Sequence, residues 1–343
     1  MHEPNLDVSR FAHAVRTVET HTAGEPTRVI VSGFPVAPGS SMMERKQWLE
    51  EHCDDLRSAL MNEPRGHADM VGAVLTDPLD TAADLGVIYL DGTRWINMCG
   101  HATMGVVTAA VESGVIETSD GEAVVTLDTP AGLVKTCAKV EGGRVVSVTF
   151  DNVPSFLVRR DITVEVDGRP CKLDVSFGGS FFALVDARQL GMAVAPQNVP
   201  RLVRCGIELL RKLNGAVFVR HPNLPIERVV NVEFYEPFLE GGGQRNIVIS
   251  EDGMIDRSPC GTGTCAKLAA LFSKGALGVG AEFVNESFLG TRFVGRVSRE
   301  TVVAGDSAVV PSVTGSANVC GMSTQLIDAS DPLWRGFRVE GSR

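Results

Sequence analysis

Apolar positions recur along this chain in two rhythms. Stretches rich in Val, Ile and Phe and bounded by Gly, Asp and Pro make up TRVIVSGFP (27–35), DLGVIYLDG (84–92), EAVVTLDTPAG (122–132), RVVSVTFDNVP (144–154) and SAVVPSVTGSA (307–317). Apolar runs of roughly five to eight residues between turn formers predict strands. Helical spacing appears in ERKQWLEEHCDDLRSALM (44–61), through Trp48, Leu49, His52, Leu56 and Leu60. It appears again in PRLVRCGIELLRKLNG (200–215), with Gly215 as the expected terminator. The glycine triplet at 241–243 reads as a flexible loop. Many strands with few helices predict an α+β chain rather than a regular βαβ alternation.

Two segments echo one another. NMCGHATMGVVTAAVESG (97–114) can be laid over RSPCGTGTCAKLAALFSKG (257–275), so that Cys99 meets Cys260, Gly100 meets Gly261, Thr103 meets Thr264 and Gly114 meets Gly275. Each reads as a turn carrying a cysteine, then an apolar helix ended by glycine. The offset, 260 − 99 = 161 residues, is nearly half of the 343-residue chain. Two structurally related lobes are expected, each presenting one cysteine at the start of its central helix. The length independently suggests about two domains at roughly 150 residues each. The expected division is 1–154, completed by 322–343, and 155–321.

Composition narrows the partners. With 32 basic and 42 acidic residues, the balance of −10 argues against nucleic acid or an anionic membrane. No apolar run approaches the ~18 residues of a membrane span, and the opening residues show no basic start followed by an apolar core. A cytoplasmic location is expected. Eight cysteines are scattered without any CxxC pair, which indicates neither a zinc knuckle nor a disulfide framework. Cys53, Cys137, Cys171, Cys205, Cys265 and Cys320 are expected to be packing residues.

Cys99 and Cys260 have a context that packing alone does not require. The first N–H groups of a helix lack partners and, with the macrodipole, favour negative charge. A cysteine there can have its pKa brought toward neutrality. Gly100, Gly261 and Gly263 would let a carboxylate approach those N–H groups closely. Two thiols facing one another suit inversion at a stereocentre: one removes the Cα proton and the other delivers a proton to the opposite face. Donors to the carboxylate would stabilise the enediolate-like charge. The alternative is two buried helix-start residues with no chemistry.

Other clusters support a site without fixing it. HTAGEPTR (21–28) and EPRGH (63–67) gather His, Glu, Arg, Gly and Pro into expected loops. No HxH or HxxxH spacing exists, and no metal is expected at His21, His67, His101 or His221. GTGT (261–264) fits neither GxxxxGK[ST] nor GxGxxG. Asp256 is either a solvated turn carboxylate or the partner of a substrate ammonium.

NMCGHATMG (97–105) and DRSPCGTGT (256–264) resemble the two signature motifs of the proline racemase family, which also holds 4-hydroxyproline 2-epimerases and trans-3-hydroxy-L-proline dehydratases. HTAGEPTR, EPRGHADM (63–70), FGGSFFALV (177–185) and ESFLGT (286–291) read as family segments in family order. The resemblance implies two pseudo-symmetric α/β lobes of the diaminopimelate epimerase-like type, each a curved sheet around a central helix, with the site in the cleft between them. It implies a cofactor-independent isomerase acting on a small imino acid, usually as a homodimer. Cys99 and Cys260 become the acid/base thiols. Gly100, His101, Gly261 and Thr262 become carboxylate donors, and Asp256 the partner of the ring nitrogen.

Within the family, dehydratases resembling this chain carry Thr or Ser in place of one cysteine, and here both cysteines are present. Val71 and Ser250 stand where proline racemases resemble phenylalanine, and Asn231 lies near a polar position of the hydroxyproline epimerases. Smaller, more polar walls make room for a ring hydroxyl, which a hydrogen-bonding residue can select strongly. HTAGEPTR and FGGSFFALV look more like the racemase branch. The pocket residues make 4-hydroxyproline 2-epimerase the first expectation and proline racemase its alternative, ahead of 3-hydroxyproline epimerase or trans-3-hydroxy-L-proline dehydratase. An acyclic substrate is disfavoured, because the GNG-containing motif of diaminopimelate epimerases is absent.

Overall fold

The computed structural model describes residues 6–238 and 242–339. In chain order its elements are β1 (His13–Thr22), β2 (Glu25–Ser32), α1 (Met42–His52), α2 (Asp54–Met61), β3 (Val71–Thr76), β4 (Leu85–Asp91), β5 (Trp95–Ile96), α3 (Gly100–Glu112), β6 (Gly121–Thr129), β7 (Gly132–Glu141) and β8 (Arg144–Asp151). There follow β9 (Phe156–Val166), β10 (Arg169–Phe177), β11 (Phe181–Asp186), α4 (Val199–Ala216), β12 (Val229–Pro237), β13 (Gly243–Ser250), β14 (Ile255–Asp256), α5 (Gly261–Ser273), β15 (Glu282–Ser287), β16 (Arg292–Val303), β17 (Asp306–Gly315) and β18 (Ala317–Ile327).

These elements form two compact units. The first holds the described residues through Thr22, then Pro26–Val145 and those from Ala317 onward; the second holds Ala23–Glu25 and Val146–Ser316. The sequence suggested divisions at 154/155 and 321/322. The first falls earlier because Val148–Asp151 of β8 pair with β17. The second falls earlier because β18 pairs with β1 from its first residue, Ala317.

Both units run through the same topology. In the first, β2 and β3 are parallel, β4 returns antiparallel, β5 pairs with β4, α3 crosses over, and β6 runs parallel to β4. In the second, β11 and β12 are parallel, β13 returns antiparallel, β14 pairs with β13, α5 crosses over, and β15 runs parallel to β13. The helices α1 and α2 connect β2 to β3 as α4 connects β11 to β12. Two strands joined by a helix and lying parallel form a crossover unit, so each unit contains two of them.

Each central helix is made mostly of small and apolar residues, which suits burial on several sides rather than at a surface. Gly100 through Val111 of α3 are all buried, and α3 packs against β1, β3, β7 and β18. α5 packs against β9, β10, β11, β16 and β17. The outer helices cover the other sheet faces. Leu49, Leu56 and Leu60 join Val15, Ile30 and Ile88 in one core; Leu202, Leu209 and Leu213 join Val232, Phe234 and Ile249 in the other.

Some expectations fail locally. The single helix expected over 44–61 is two helices, broken at Cys53 (φ −129°, ψ 16°). There Asp54 and Asp55 open a new first turn, where acidic residues are favoured. Gly215 lies inside α4, which continues through Ala216. Of the glycine triplet, Gly241 is outside the described residues and Gly243 begins β13. HTAGEPTR lies mostly in β1 and β2, not in loops. Cys320 is exposed rather than packed, because alternate residues of β18 face outward.

Candidate functional site

α3 and α5 each begin immediately after a cysteine and each span 13 residues, Gly100–Glu112 and Gly261–Ser273. The offset of 161 therefore matches both ends, since 100 + 161 = 261 and 112 + 161 = 273. Each helix is followed by one capping residue and a left-handed glycine, Gly114 (φ 75°) and Gly275 (φ 69°). The echo in the sequence is an echo in structure. Cys99 and Cys260 are N-caps, and Gly100 with His101, and Gly261 with Thr262, fill the first two helical positions. N–H groups there have no acceptor within the helix.

The two turns hold their thiols differently. Cys99 is half-buried in extended backbone (φ −142°), and its side chain makes no cap bond. Its Sγ lies 3.3 Å from Nδ1 and 3.8 Å from Nε2 of His101. His101 is itself held by its carbonyl, which accepts from Thr22 Oγ1 at 2.7 Å. Sequence reasoning assigned His101 only its backbone; the structure adds its ring beside the thiol.

Cys260 is buried and sits at φ 62°, a region that L residues rarely occupy. Its Sγ accepts from Gly263 N at 3.4 Å and lies 3.7 Å from Thr262 Oγ1. Burial, then the Asp256 carboxylate, push this thiol well above the usual cysteine range; the Gly263 N–H and Thr262 hydroxyl oppose them. The helix start alone was expected to lower it. Desolvation outweighs the helix start because the thiol is enclosed.

A chain of turns delivers Cys260 to its place. Asp256 Oδ1 accepts from Ser258 N at 2.8 Å and from Ser258 Oγ at 2.7 Å, and Ser258 Oγ accepts from Cys260 N at 3.0 Å. Asn246 and Asn285 both donate to the carbonyl of Pro259, and Asn285 also donates to Thr264 Oγ1. Asp256 thus fixes the loop, whatever else it binds. Ser258 was missed, although its signal was local: Asp, Ser and Cys at alternate positions are the spacing of successive Asx and ST turns. FGG (177–179) has a related role. A Cβ on Gly178 would stand 2.2 Å from Thr262 O and 2.4 Å from Ala266 N, so only glycine lets α5 approach here.

The three expected pocket residues do not form one group within a unit. Val71 opens β3 in the first unit, buried beside Thr27 and Asp91. Asn231 and Ser250 are opposite one another on β12 and β13 in the second. Asn231 Nδ2 donates to Ser180 Oγ at 3.0 Å. The Ser250 hydroxyl instead donates to Asp252 Oδ1 in its own turn. An open hollow of about 840 Å³ near the end of α4, lined by Leu210, Phe218, Arg228 and Glu251 among others, includes none of the expected site residues. Among the described residues there is no group of three His, Cys, Asp or Glu able to hold a metal, and no helix long and apolar enough to cross a membrane.

The proline racemase family matches residues 17–338. The chain belongs to that family. It is 46% identical over 331 residues, 96% of this chain and 99% of the relative, to a proline racemase of Clostridioides difficile. It is 39% identical over 333 residues to a trans-3-hydroxy-L-proline dehydratase of Burkholderia ambifaria, covering 96% and 99% of the two chains. Among solved structures, a hydroxyproline epimerase of Agrobacterium vitis with bound trans-4-hydroxy-L-proline superposes with a TM-score of 0.90 at 36% identity, covering 96% of each chain. The fold is the α+β, two-lobe fold of this family, and the chain is an isomerase of the racemase/epimerase type.

Proposed function

We propose that this isomerase inverts C2 of a proline-type imino acid without a cofactor, using Cys99 and Cys260 as its two acid/base groups. The observation that carries this reading is a cysteine N-cap on the central helix of each topological repeat. One thiolate takes the Cα proton, and the electron pair left on Cα delocalises into the substrate carboxylate. N–H groups of Gly100, His101, Gly261 and Thr262 stabilise that charge. The other thiol gives its proton to the opposite face, so the enzyme ends with its thiol states exchanged and the reverse reaction prepared. Asp256 accepts from the ring ammonium.

Proline is the substrate this reading takes first. The 46% identity to a proline racemase supports it. The sequence favoured 4-hydroxyproline through Val71, Asn231 and Ser250, but the Ser250 hydroxyl is occupied by Asp252, which weakens that argument. Asn231 with Ser180 supports trans-4-hydroxy-L-proline as a second reading, since an amide and a hydroxyl can hold a ring hydroxyl.

Incubation in D₂O with L-proline, trans-4-hydroxy-L-proline and trans-3-hydroxy-L-proline, followed by NMR and polarimetry, tests both levels. Exchange at Cα with inversion is expected, fastest on proline. Faster turnover of either hydroxyproline would reverse the substrate order. Cys99→Ser and Cys260→Ser should each abolish inversion, and wild-type turnover by either would remove the two-thiol mechanism.

A further inference from the structure

Beneath the first turn of α5 lies a carboxylate that this mechanism does not use. Glu233 is fully buried on β12. Val232 and Phe234 on either side of it point into the core under α4, so Glu233 points to the opposite face. There it stands directly across from Val248, which packs in one cluster with Cys260. Its Oε1 accepts from Gln244 Nε2, while Oε2 has no hydrogen-bond partner among the described residues. Gln244 Oε1 and Asn246 Oδ1, both buried, also lack one. Buried polar atoms of native proteins are nearly always satisfied, so such a cluster needs a reason.

Gly263 supplies the link to the thiol. A Cβ built on it would stand 2.9 Å from Glu233 Oε2 and 3.2 Å from Cys260 Sγ. The space of a single methyl group therefore touches both the carboxylate oxygen and the sulfur. The backbone N–H of the same glycine donates to that sulfur. We propose that Glu233 is a positioning residue for the second thiol, a buried carboxylate acting across Gly263 to oppose formation of the Cys260 thiolate. This rests on the reading of Cys260 as an acid/base group.

The surrounding charges fit a group that titrates. From α5, Lys267 is buried with its Nζ 3.0 Å from the centroid of the Tyr235 ring. Burial pushes the Glu233 carboxyl up and the Lys267 amine down, and each charge partly restores the other. Gln244 and Asn246 face Glu233 from β13; Asp174 on β10, Asp186 on β11 and Lys274 after α5 act on Lys267. On Cys260, an ionised Glu233 adds its repulsion to burial and Asp256.

The test is the pH dependence of Cys260 alkylation by iodoacetamide in the full-length protein, followed by peptide mass spectrometry. In Glu233→Gln the midpoint for Cys260 should fall by about one pH unit, the size of a charge effect across a few ångströms of protein. The profile of Cys99 in the same sample should stay in place. Because Glu233→Gln strands a buried amine, Glu233→Gln/Lys267→Met provides a second variant with neither charge, and the same fall is expected. A Cys260 midpoint that stays or rises in both variants overturns the proposal. Should that occur while Cys260→Ser is inactive, Glu233 loses its role and the two-thiol reading stands. Full turnover by Cys260→Ser would instead remove the basis for both.

Discussion

Cys99 and Cys260 occupy matching positions and differ in almost everything around them. Cys99 is half-buried with an imidazole 3.3 Å from its sulfur, whereas Cys260 is enclosed and its sulfur caps its own helix. Alkylation of the wild-type protein at pH 7.5 should therefore modify Cys99 at least about tenfold faster, since the thiolate is the reacting form. Equal rates would contradict the burial of Cys260. His101→Asn removes the imidazole but keeps the backbone N–H, and kcat/KM should fall about 100-fold, the lower end of the scale of acid–base assistance. Undiminished turnover would confine His101 to its backbone. His221 offers a test unrelated to catalysis. Its ring lies 5.5 and 4.6 Å from those of Phe156 and Phe177, and burial pushes its pKa below the ordinary 6.5. The unfolded chain binds that proton near pH 6.5 and the folded chain only at lower pH, so stability falls as pH drops through that window. Denaturant midpoints between pH 8 and 5 should decline less in His221→Gln than in the parent. The two catalytic candidates were legible because cysteine, glycine and an apolar helix are neighbours in sequence. Glu233 was not: in VVNVEFYEP its alternation with Val232 and Phe234 reads as a solvent face, whereas the first turn of α5 at Gly263 lies against it.

The helices show where periodicity suffices as a guide and where it does not. α3 and α5 were legible because most of their residues are small or apolar, and because a glycine stands one residue beyond the end of each. The run over 44–61 kept helical spacing across a break, since Leu49 and Leu56 enter the same core from two helices. What spacing cannot register is the anchoring of Asp54 in the first turn of α2, where its carboxylate accepts from both Arg57 and the Trp95 indole. The seating of α5 is likewise non-local, because Gly178 is far from it in sequence. Gly178→Ala would drive a methyl group against the backbone at Thr262 and Ala266. It should cost about 1–3 kcal/mol, as overpacking does in a close-packed interior. Turnover should fall further than stability does, because the displaced segment carries Thr262. Urea denaturation and steady-state kinetics on one preparation separate the two, and an unaltered kcat would show that α5 can shift without consequence.

Across the whole molecule, sequence similarity between the repeats is confined to one helix each, while the topology repeats through every crossover. On the two-thiol reading, the segment at the thiols must keep its letters, whereas the remaining strands need keep only their apolar faces, which many residues satisfy. The chain also returns to its first unit at the end: β18 pairs with β1 from His13–Ile327 to Thr22–Ala317. β18 packs on α3 as well, so residues at the far end of the sequence support the helix that Cys99 caps. A chain stopped after Ser316 would leave β1 without that ladder and α3 without part of its cover. Amide exchange in β1 and α3 should then accelerate strongly, while α5, β12 and β13, whose partners all lie within 146–316, keep their protection. Substrate turnover should be lost with Cys260 still in a folded environment, so its slow alkylation should persist as that of Cys99 rises. Equal loss of protection in both units would mean that the two repeats fold only as one cooperative body, despite each having its own central helix and core.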